Sequence, residues 1–443
     1  MKKLTALRFD TSSISFCILN FTFCVLLFSC SVQKQINRSA RSTLLGDSSL
    51  LTAHVGISIF DPATNRYLYN YQGNKYFVPA SNTKIPTCYA AMKYLGDSIV
   101  GLEYAIDDSI VVFRGSGDPT LLHPDFKKQP TINFLMKQKM LAIKDANFTA
   151  NRWGSGWSVS DITASYAPER NELPVYGNTI RVFKRGDSIA SIPSLNSSQI
   201  QTTKPVDWKI TFERPSLNEN FFFTIQSNQN FTSREIPFVT GNYMSAVVYL
   251  MDTLKKEIFL TTQARPYTWN RIHSHPTDSL LKPMMHRSDN FFAEQSLLMV
   301  SNEFLGVMND AKIVDTILKT DFKDLPQKPR WADGSGLSRY NLFTPQDFVV
   351  ILNKMKNEFG MDRIKEIFPT GGEGTLSSYY KSDSTFIYAK TGTLSGVVAL
   401  SGFLYTKQKK LLIFSVLVNN HQGSATAVRR AIEKFIQGVR QKY

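Results

Sequence analysis

Residues 77–84 read Phe77-Val-Pro-Ala-Ser81-Asn-Thr-Lys84, with a serine and a lysine three residues apart at the start of a predicted helix. Apolar residues follow at helical spacing as far as Leu95, and Gly96 is a suitable stop. Side chains at positions i and i+3 share a helix face, so the Lys84 amine can approach the Ser81 hydroxyl. A serine becomes a good nucleophile when a base takes its proton, and a lysine of lowered pKa can be that base.

The string S-x-x-K is common, and alone it predicts little. It occurs four times here, at Ser31–Lys34, Ser81–Lys84, Ser279–Lys282 and Ser378–Lys381. Only the Ser81 copy opens a strong helical pattern after a Pro-Ala entry. This copy is therefore the candidate nucleophile.

Two later segments raise the significance of Ser81. Ser288-Asp-Asn290 lies between two helical patterns, and Lys390-Thr-Gly-Thr393 opens a β-rich run. K-T-G occurs only once in the chain. S-x-x-K, S-D-N and K-T-G in this order are the three motifs of serine β-lactamases and penicillin-binding proteins, which the chain resembles.

The resemblance is more specific around the second motif. Lys282-Pro-Met-Met-His-Arg-Ser-Asp-Asn-Phe-Phe-Ala-Glu294 resembles that region of the D-alanyl-D-alanine carboxypeptidase/endopeptidase family, the low-molecular-mass penicillin-binding proteins with a large inserted domain. Gly115–Leu121, Asp333–Ser338 and Gly374–Leu376 resemble further signatures of that family. The match runs from about residue 54 to about residue 420.

The resemblance implies an α+β catalytic domain, an antiparallel sheet flanked by helices and split by an insertion. We expect residues 51–99 and 276–443 to form this domain and residues 100–275 to form a mostly-β insertion. A hairpin over 54–71 should join strands over 386–405 and 411–418. A final helix should bury residues at helical spacing: Val428, Ile432, Phe435, Ile436 and Val439.

The resemblance also implies a role for each motif residue. Ser81 would attack the carbonyl between two D-alanines of a peptidoglycan peptide, with Lys84 as the general base and Ser288 as a proton relay. Asn290 would hold the substrate or Lys84, and Lys390 would add positive potential and lower the pKa of Lys84.

The resemblance also implies that the other residues of the third motif bind the substrate. The Thr391 and Thr393 hydroxyls would bind the terminal carboxylate, and Gly392 would let the substrate lie close to the strand edge. The backbone N–H groups of Ser81 and Thr393 would form the oxyanion hole. Penicillins would acylate Ser81 and leave slowly, which makes them inhibitors.

The N-terminus is typical of an exported protein. Lys2, Lys3 and Arg8 precede an apolar run over 14–28, too short for a membrane span, which predicts a signal peptide over residues 1–29. Leu27-Phe-Ser-Cys30 resembles a bacterial lipoprotein signal, so Cys30 is a candidate lipidation site, and residues 30–50 would be a tether. We expect the protein to be periplasmic and to be anchored to the membrane through this lipid.

Composition excludes several other classes. The chain has 443 residues, 42% hydrophobic and 20% charged, as in folded proteins, and its formal net charge of +15 is spread out. The basic residues lack the dense stripe with interleaved aromatics that nucleic-acid binding needs. No cofactor or metal is expected, and His273-Ser-His275 is interpreted as a surface loop.

Two alternatives stay open. A β-lactamase-like hydrolase would turn over penicillin quickly, but the large insertion and the lack of a matching deacylation loop disfavour it. A catalytically silent wall-binding lipoprotein would keep the fold as a scaffold, but it would not need all the motif residues. Trimming of terminal D-alanine and cleavage of cross-links share one acyl-enzyme, so the sequence does not separate them.

Overall fold

The computed structural model describes residues 33–185, 188–194, 200–203, 222–225, 233–263 and 266–443. The predicted signal peptide and Cys30 lie outside these residues. Among the described residues, no helix combines the length and apolar character that crossing a membrane requires.

A five-stranded antiparallel sheet carries the first and last strands of the chain. Its strands, numbered along the chain, are β1 (His54–Asp61), β2 (Arg66–Tyr71), β13 (Ile387–Leu394), β14 (Val397–Tyr405) and β15 (Leu411–Asn419). Their order is β13-β14-β15-β1-β2, so β13 is an edge strand. The N-terminal hairpin joins the C-terminal strands through β1 and β15, where Val55 pairs with Val418. The predicted α+β fold with this sheet arrangement is confirmed.

Helices cover both faces of this sheet. One face packs against α2 (Lys84–Tyr94), α5 (Thr277–His286), α6 (Asn290–Leu305), α7 (Asp310–Lys319) and α8 (Pro345–Ile367). The other packs against α1 (residues 33–40) and α9 (Ala425–Lys442). Alternate residues of the strands enter the two cores, as the pleat requires: Phe403 enters the first and Leu404 the second. All five residues predicted to be buried in the final helix are buried.

The tether prediction is wrong for residues 33–50. Residues 33–40 are helical, and the chain continues as a π-helical turn over Arg41–Leu45. Ile36, Ala40 and Leu44 are buried in the same core as α9. Their spacing of four residues is the apolar stripe of a helix, which the surrounding polar residues conceal in the sequence.

The middle of the chain has its own hydrophobic core. A five-stranded sheet has the order β11-β5-β4-β3-β12, formed by β3 (Ser98–Asp107), β4 (Ile110–Gly115), β5 (Met140–Ile143), β11 (Ile258–Leu260) and β12 (Asn270–Pro276). A three-stranded sheet has the order β10-β6-β7, formed by β6 (Thr179–Arg185), β7 (Ser188–Ile192) and β10 (Ser233–Pro237). β8 (Ile200–Thr203) pairs with β9 (Phe222–Ile225), and the helices are α3 (Pro130–Met136) and α4 (Met244–Leu254).

The strands β3 and β12 bring the two ends of this middle part together. They pair antiparallel, with Ser98 opposite Pro276, so the chain leaves and re-enters the catalytic half at one place. The exact domain boundaries stay a prediction. The loop interpretation of His273 and His275 is wrong, because both lie in β12, where the His273 ring contacts the Ser98 hydroxyl at 2.9 Å.

Candidate active site

Ser81 lies in a short 3₁₀ turn, Ala80–Thr83, that leads directly into α2. The residues that lead into this turn are held by Asn419. The Asn419 side chain accepts a hydrogen bond from the Val78 N–H at 2.8 Å and donates one to the Val78 carbonyl at 3.0 Å. Ala80 has a φ of 48°, a left-handed conformation that costs energy in any residue with a Cβ. The surrounding contacts therefore hold the candidate nucleophile on a strained turn.

Lys84 is fully buried beneath Ser81. Its Nζ lies 3.2 Å from Ser81 Oγ, 2.6 Å from Asn290 Oδ1 and 2.8 Å from the Ser335 carbonyl oxygen. Burial lowers its pKa to about 8, although the carboxylates of Asp333, Asp289 and Glu294 partly offset this. An amine with this pKa is neutral often enough near pH 8 to accept the hydroxyl proton.

The loop over 333–338 supplies the carbonyl that accepts a hydrogen bond from Lys84. The Asp333 carboxylate accepts hydrogen bonds from the backbone N–H groups of Gly336, at 2.8 Å, and Ser338, at 2.6 Å. Glu294 accepts a bond from the Ser335 N–H at 2.8 Å and pairs with the buried Arg170 at 2.9 Å. The sequence marked this segment as a family signature, but it gave no indication that a backbone carbonyl here holds the lysine.

The second motif occupies the turn between α5 and α6. Asp289 caps α6 by accepting a hydrogen bond from the Phe292 N–H at 3.0 Å, which fixes the residues on either side of it. Asn290 accepts from Lys84 and donates to the Tyr166 carbonyl at 3.0 Å. Ser288 has a φ of 61° and accepts a hydrogen bond at 2.8 Å from Lys390 Nζ. The motif thus connects both lysines.

Lys390 is fully buried on β13, and its Nζ also donates to the Thr391 carbonyl at 2.8 Å. Burial and the nearby Lys84 ammonium lower the pKa of Lys390 well below its usual value. The roles that the resemblance implies for Lys390, positive potential in the groove and a lowered pKa of Lys84, stay predictions.

Gly392 lies where β13 approaches the nucleophile turn closely. A Cβ there would lie 2.6 Å from the Pro79 carbonyl oxygen and 3.1 Å from the Ser81 nitrogen. The missing side chain therefore allows β13 to pack against the nucleophile turn, and the close approach of the substrate to this strand stays a prediction.

An open cavity of about 720 Å³ lies over Ser81. Ser288, Asn290, Thr391 and Thr393 line it together with Ser81. The lining also includes polar side chains that were not predicted, among them Asp161, Tyr166, Arg339 and Arg429. Nothing in the sequence singles them out, since none belongs to a recognisable motif.

The motif residues therefore converge on one groove from three distant segments. Ser81, Lys84 and Asn290 are joined by hydrogen bonds, as are Ser288 and Lys390. Such an arrangement can activate a hydroxyl, and it can pass a proton to a leaving group near Ser288. Within the described part of the chain, no three His, Cys, Asp or Glu side chains gather as metal ligands would.

Comparisons with known proteins identify relatives of this chain. The D-alanyl-D-alanine carboxypeptidase of Actinomadura sp. (strain R39) is 26% identical, over 88% of this chain and 82% of its own. The D-alanyl-D-alanine carboxypeptidase DacB of Haemophilus influenzae is 23% identical, over 95% of this chain and 94% of its own. The crystal structure of penicillin binding protein 4 (dacB) from Haemophilus influenzae superposes with a TM-score of 0.69 at 20% identity, covering 91% of this chain and 98% of that one.

The family model described as "D-Ala-D-Ala carboxypeptidase 3 (S13) family" matches residues 38–206 and 253–442, which is most of the chain. The family resemblance expected from the motifs is confirmed. The chain belongs to the S13 family of D-Ala-D-Ala carboxypeptidases.

Proposed function

We propose that this protein is a serine-type D-alanyl-D-alanine carboxypeptidase and endopeptidase that acts on peptidoglycan stem peptides through an acyl-enzyme on Ser81. One observation carries the proposal: the buried Lys84 amine, with a pKa lowered to about 8, lies 3.2 Å from Ser81 Oγ. Family membership supports the same substrate class.

Acylation begins when the neutral Lys84 amine takes the proton of the Ser81 hydroxyl. Ser81 Oγ then bonds to the carbonyl carbon between the two D-alanines, and the oxyanion accepts hydrogen bonds from the backbone N–H groups of Ser81 and Thr393. As the C–N bond breaks, the departing amine receives a proton from the Ser288 hydroxyl, and Ser288 regains one from Lys84, which took it from Ser81. The products of this step are an ester on Ser81 and a free amine.

Water completes the cycle by attacking the ester, after which Ser81 recovers its proton. A β-lactam acylates Ser81 by the same step, but the amine released by ring opening stays attached to the acyl group and cannot diffuse away. Penicillins are therefore expected to be slow-leaving inhibitors. The solved structure of the Haemophilus influenzae protein complexed with a β-lactam supports this expectation by analogy of fold.

The edge strand β13 provides the binding surface. An extended peptide can add to an exposed sheet edge by backbone hydrogen bonds, which would lay the scissile bond beside Ser81. The hydroxyls of Thr391 and Thr393, both in the cavity lining, are placed to donate to the terminal carboxylate.

A fluorescent penicillin tests the proposal. The wild-type chain should acquire a stable label that Ser81→Ala abolishes. Ser279→Ala and Ser378→Ala are matched controls, because each alters another S-x-x-K copy, and both should label normally. Rapid release of the label would favour the β-lactamase alternative, and absence of label from a folded wild-type chain would favour the silent scaffold.

A second measurement separates the two peptidase activities. Mass spectrometry of wall fragments before and after treatment should show loss of terminal D-alanine, conversion of cross-linked dimers to monomers, or both. Fragments that stay unchanged with an acylation-competent enzyme would contradict the proposed substrate.

We also propose that the protein is exported to the periplasm and that Cys30 carries a lipid. The basic and apolar leader and the residues preceding Cys30 support this proposal. Cys30→Ser should move the protein from the membrane fraction to the soluble fraction, whereas the buried Cys88 is not expected to affect fractionation when changed to alanine. An unchanged distribution in Cys30→Ser would contradict lipidation.

A further inference from the structure

Arg429 reaches the groove from an element that contains none of the three motifs. It lies in α9, which packs on the face of the sheet opposite to α2. Its guanidinium Nη2 donates a hydrogen bond to Thr393 Oγ1 at 2.6 Å, and both side chains line the cavity over Ser81. The groove therefore contains a permanent positive charge beside the third motif.

The other cations at the groove donate to different acceptors. Lys390 is fully buried and uses its amine on Ser288 and Thr391. Arg339 donates to the Ser395 carbonyl at 2.8 Å. Within the described residues, Arg429 has no carboxylate partner, whereas its neighbour Arg430 pairs with Glu433 at 2.6 Å. Arg429 is thus left with unused donors and an uncompensated charge.

The contact with Thr393 also orients a hydroxyl. A threonine hydroxyl has one proton to donate and lone pairs to accept with. Since Thr393 Oγ1 accepts from Arg429, its proton is directed away from the guanidinium. Together the two side chains present O–H and N–H donors to an anion bound in the groove, a favourable arrangement for a carboxylate.

We propose that Arg429 recognises the negative charge of the substrate's terminal carboxylate, acting directly and through the Thr393 hydroxyl. This inference rests on the proposed function, because it identifies the group that lies just beyond the scissile bond. It makes Arg429 a specificity-determining residue that selects peptides with a free carboxylate at that position.

The test compares two peptides that differ only in this charge, one ending in D-Ala-D-Ala and the other in D-Ala-D-alaninamide. Arg429→Gln should lower kcat/KM for the free acid roughly 10- to 100-fold, the range for a hydrogen bond to a charged group, and leave the amide nearly unchanged. Arg429→Lys should recover part of the loss, because it restores the charge without the planar fork. Arg430→Gln removes the same charge one residue away and should not change the ratio between the peptides.

A binding measurement keeps this inference separate from the proposed activity. Calorimetry with Ser81→Ala chains, with and without Arg429→Gln, reports affinity for the two peptides without any turnover. If the double variant binds the free-acid peptide more weakly but the amide peptide equally well, the inference is supported. This holds even if the wild-type chain cleaves neither peptide, a result that would contradict only the proposed function. Equal losses for acid and amide, no loss for either, or no binding of either peptide to Ser81→Ala would overturn it.

Discussion

The chemistry of the groove depends on how a lysine can be buried and still held in place. Lys84 has no exposed surface, yet three oxygen acceptors surround its Nζ. Burial disfavours the charged amine, while the acceptors and nearby carboxylates favour it. The balance gives an amine that can change its protonation state near neutral pH, which an exposed lysine cannot do.

The first prediction concerns pH. Since only neutral Lys84 can accept the Ser81 proton, the acylation rate should rise about tenfold per pH unit below its pKa of about 8 and level off above it. Stopped-flow measurement of penicillin acylation between about pH 6 and about pH 10, two units on either side of this pKa, checks this. Lys84→Arg, which stays protonated, should be inactive throughout. A rate that does not vary with pH would contradict the role of Lys84.

The second prediction concerns Glu294, which holds the Ser335 N–H and adds negative charge near Lys84. Burial raises the pKa of Glu294 to about 7, so its charge acts on Lys84 in the upper part of the acid limb. Glu294→Gln keeps an acceptor oxygen but removes this charge, so the pKa of Lys84 should fall and that part of the acylation profile should move to lower pH. The unfolding free energy should fall by about 1–3 kcal/mol, because the buried Arg170 loses a charged partner.

Glu303→Gln is the control for this variant. It lies in the same helix and pairs with the exposed Arg271. It should change neither the profile nor the stability appreciably. A Glu294→Gln profile identical to that of wild type would refute the electrostatic link.

At the scale of elements, the position of β13 depends on one missing side chain. Gly392→Ala would place a Cβ 2.6 Å from the Pro79 carbonyl oxygen, so the strand or the nucleophile turn must move. We expect acylation to slow by roughly 100-fold, since displacements of about 1 Å at a reacting centre have that effect. The cost in stability should be about 1–3 kcal/mol, as for other overpacked sites.

Gly423→Ala is a matched control in the loop before α9. Its nearest contact would be Ser49 Cβ at 3.3 Å, and neither residue lines the groove. It should acylate normally in the same assay. Normal acylation of a folded Gly392→Ala chain would show that this close approach is unnecessary.

The predictable elements are those with local patterns. The helix after Ser81, the N-terminal hairpin and α9 each show their periodicity within a short window, and each forms as predicted. The convergence of Ser81, Ser288 and Lys390 was inferable only because three uncommon strings occur in a known order. Arg429 and the Ser335 carbonyl were not inferable, because their contacts with the site join residues far apart in the chain and leave no local pattern.

At the scale of the whole molecule, the segment before β1 belongs to the folded body. A chain beginning at residue 51 would lose the apolar contacts of Ile36, Leu44 and Leu50 with α9. Its unfolding free energy should fall by on the order of 5 kcal/mol relative to a chain beginning at residue 31, at about 1.5–3 kcal/mol per buried aliphatic side chain. Thermal denaturation of the two chains checks this, and equal melting temperatures would restore the tether interpretation.

The pairing of β1 with β15 has a consequence for biosynthesis. The strand nearest the N-terminus completes its ladder only with residues 413–419, so the ribosome has made nearly the whole protein before this partner exists. The middle part, with a core of its own, can mature earlier. The serine is thus translated early but gains its strand, its second lysine and its arginine last, and an interrupted or truncated product stays inert toward the cell wall.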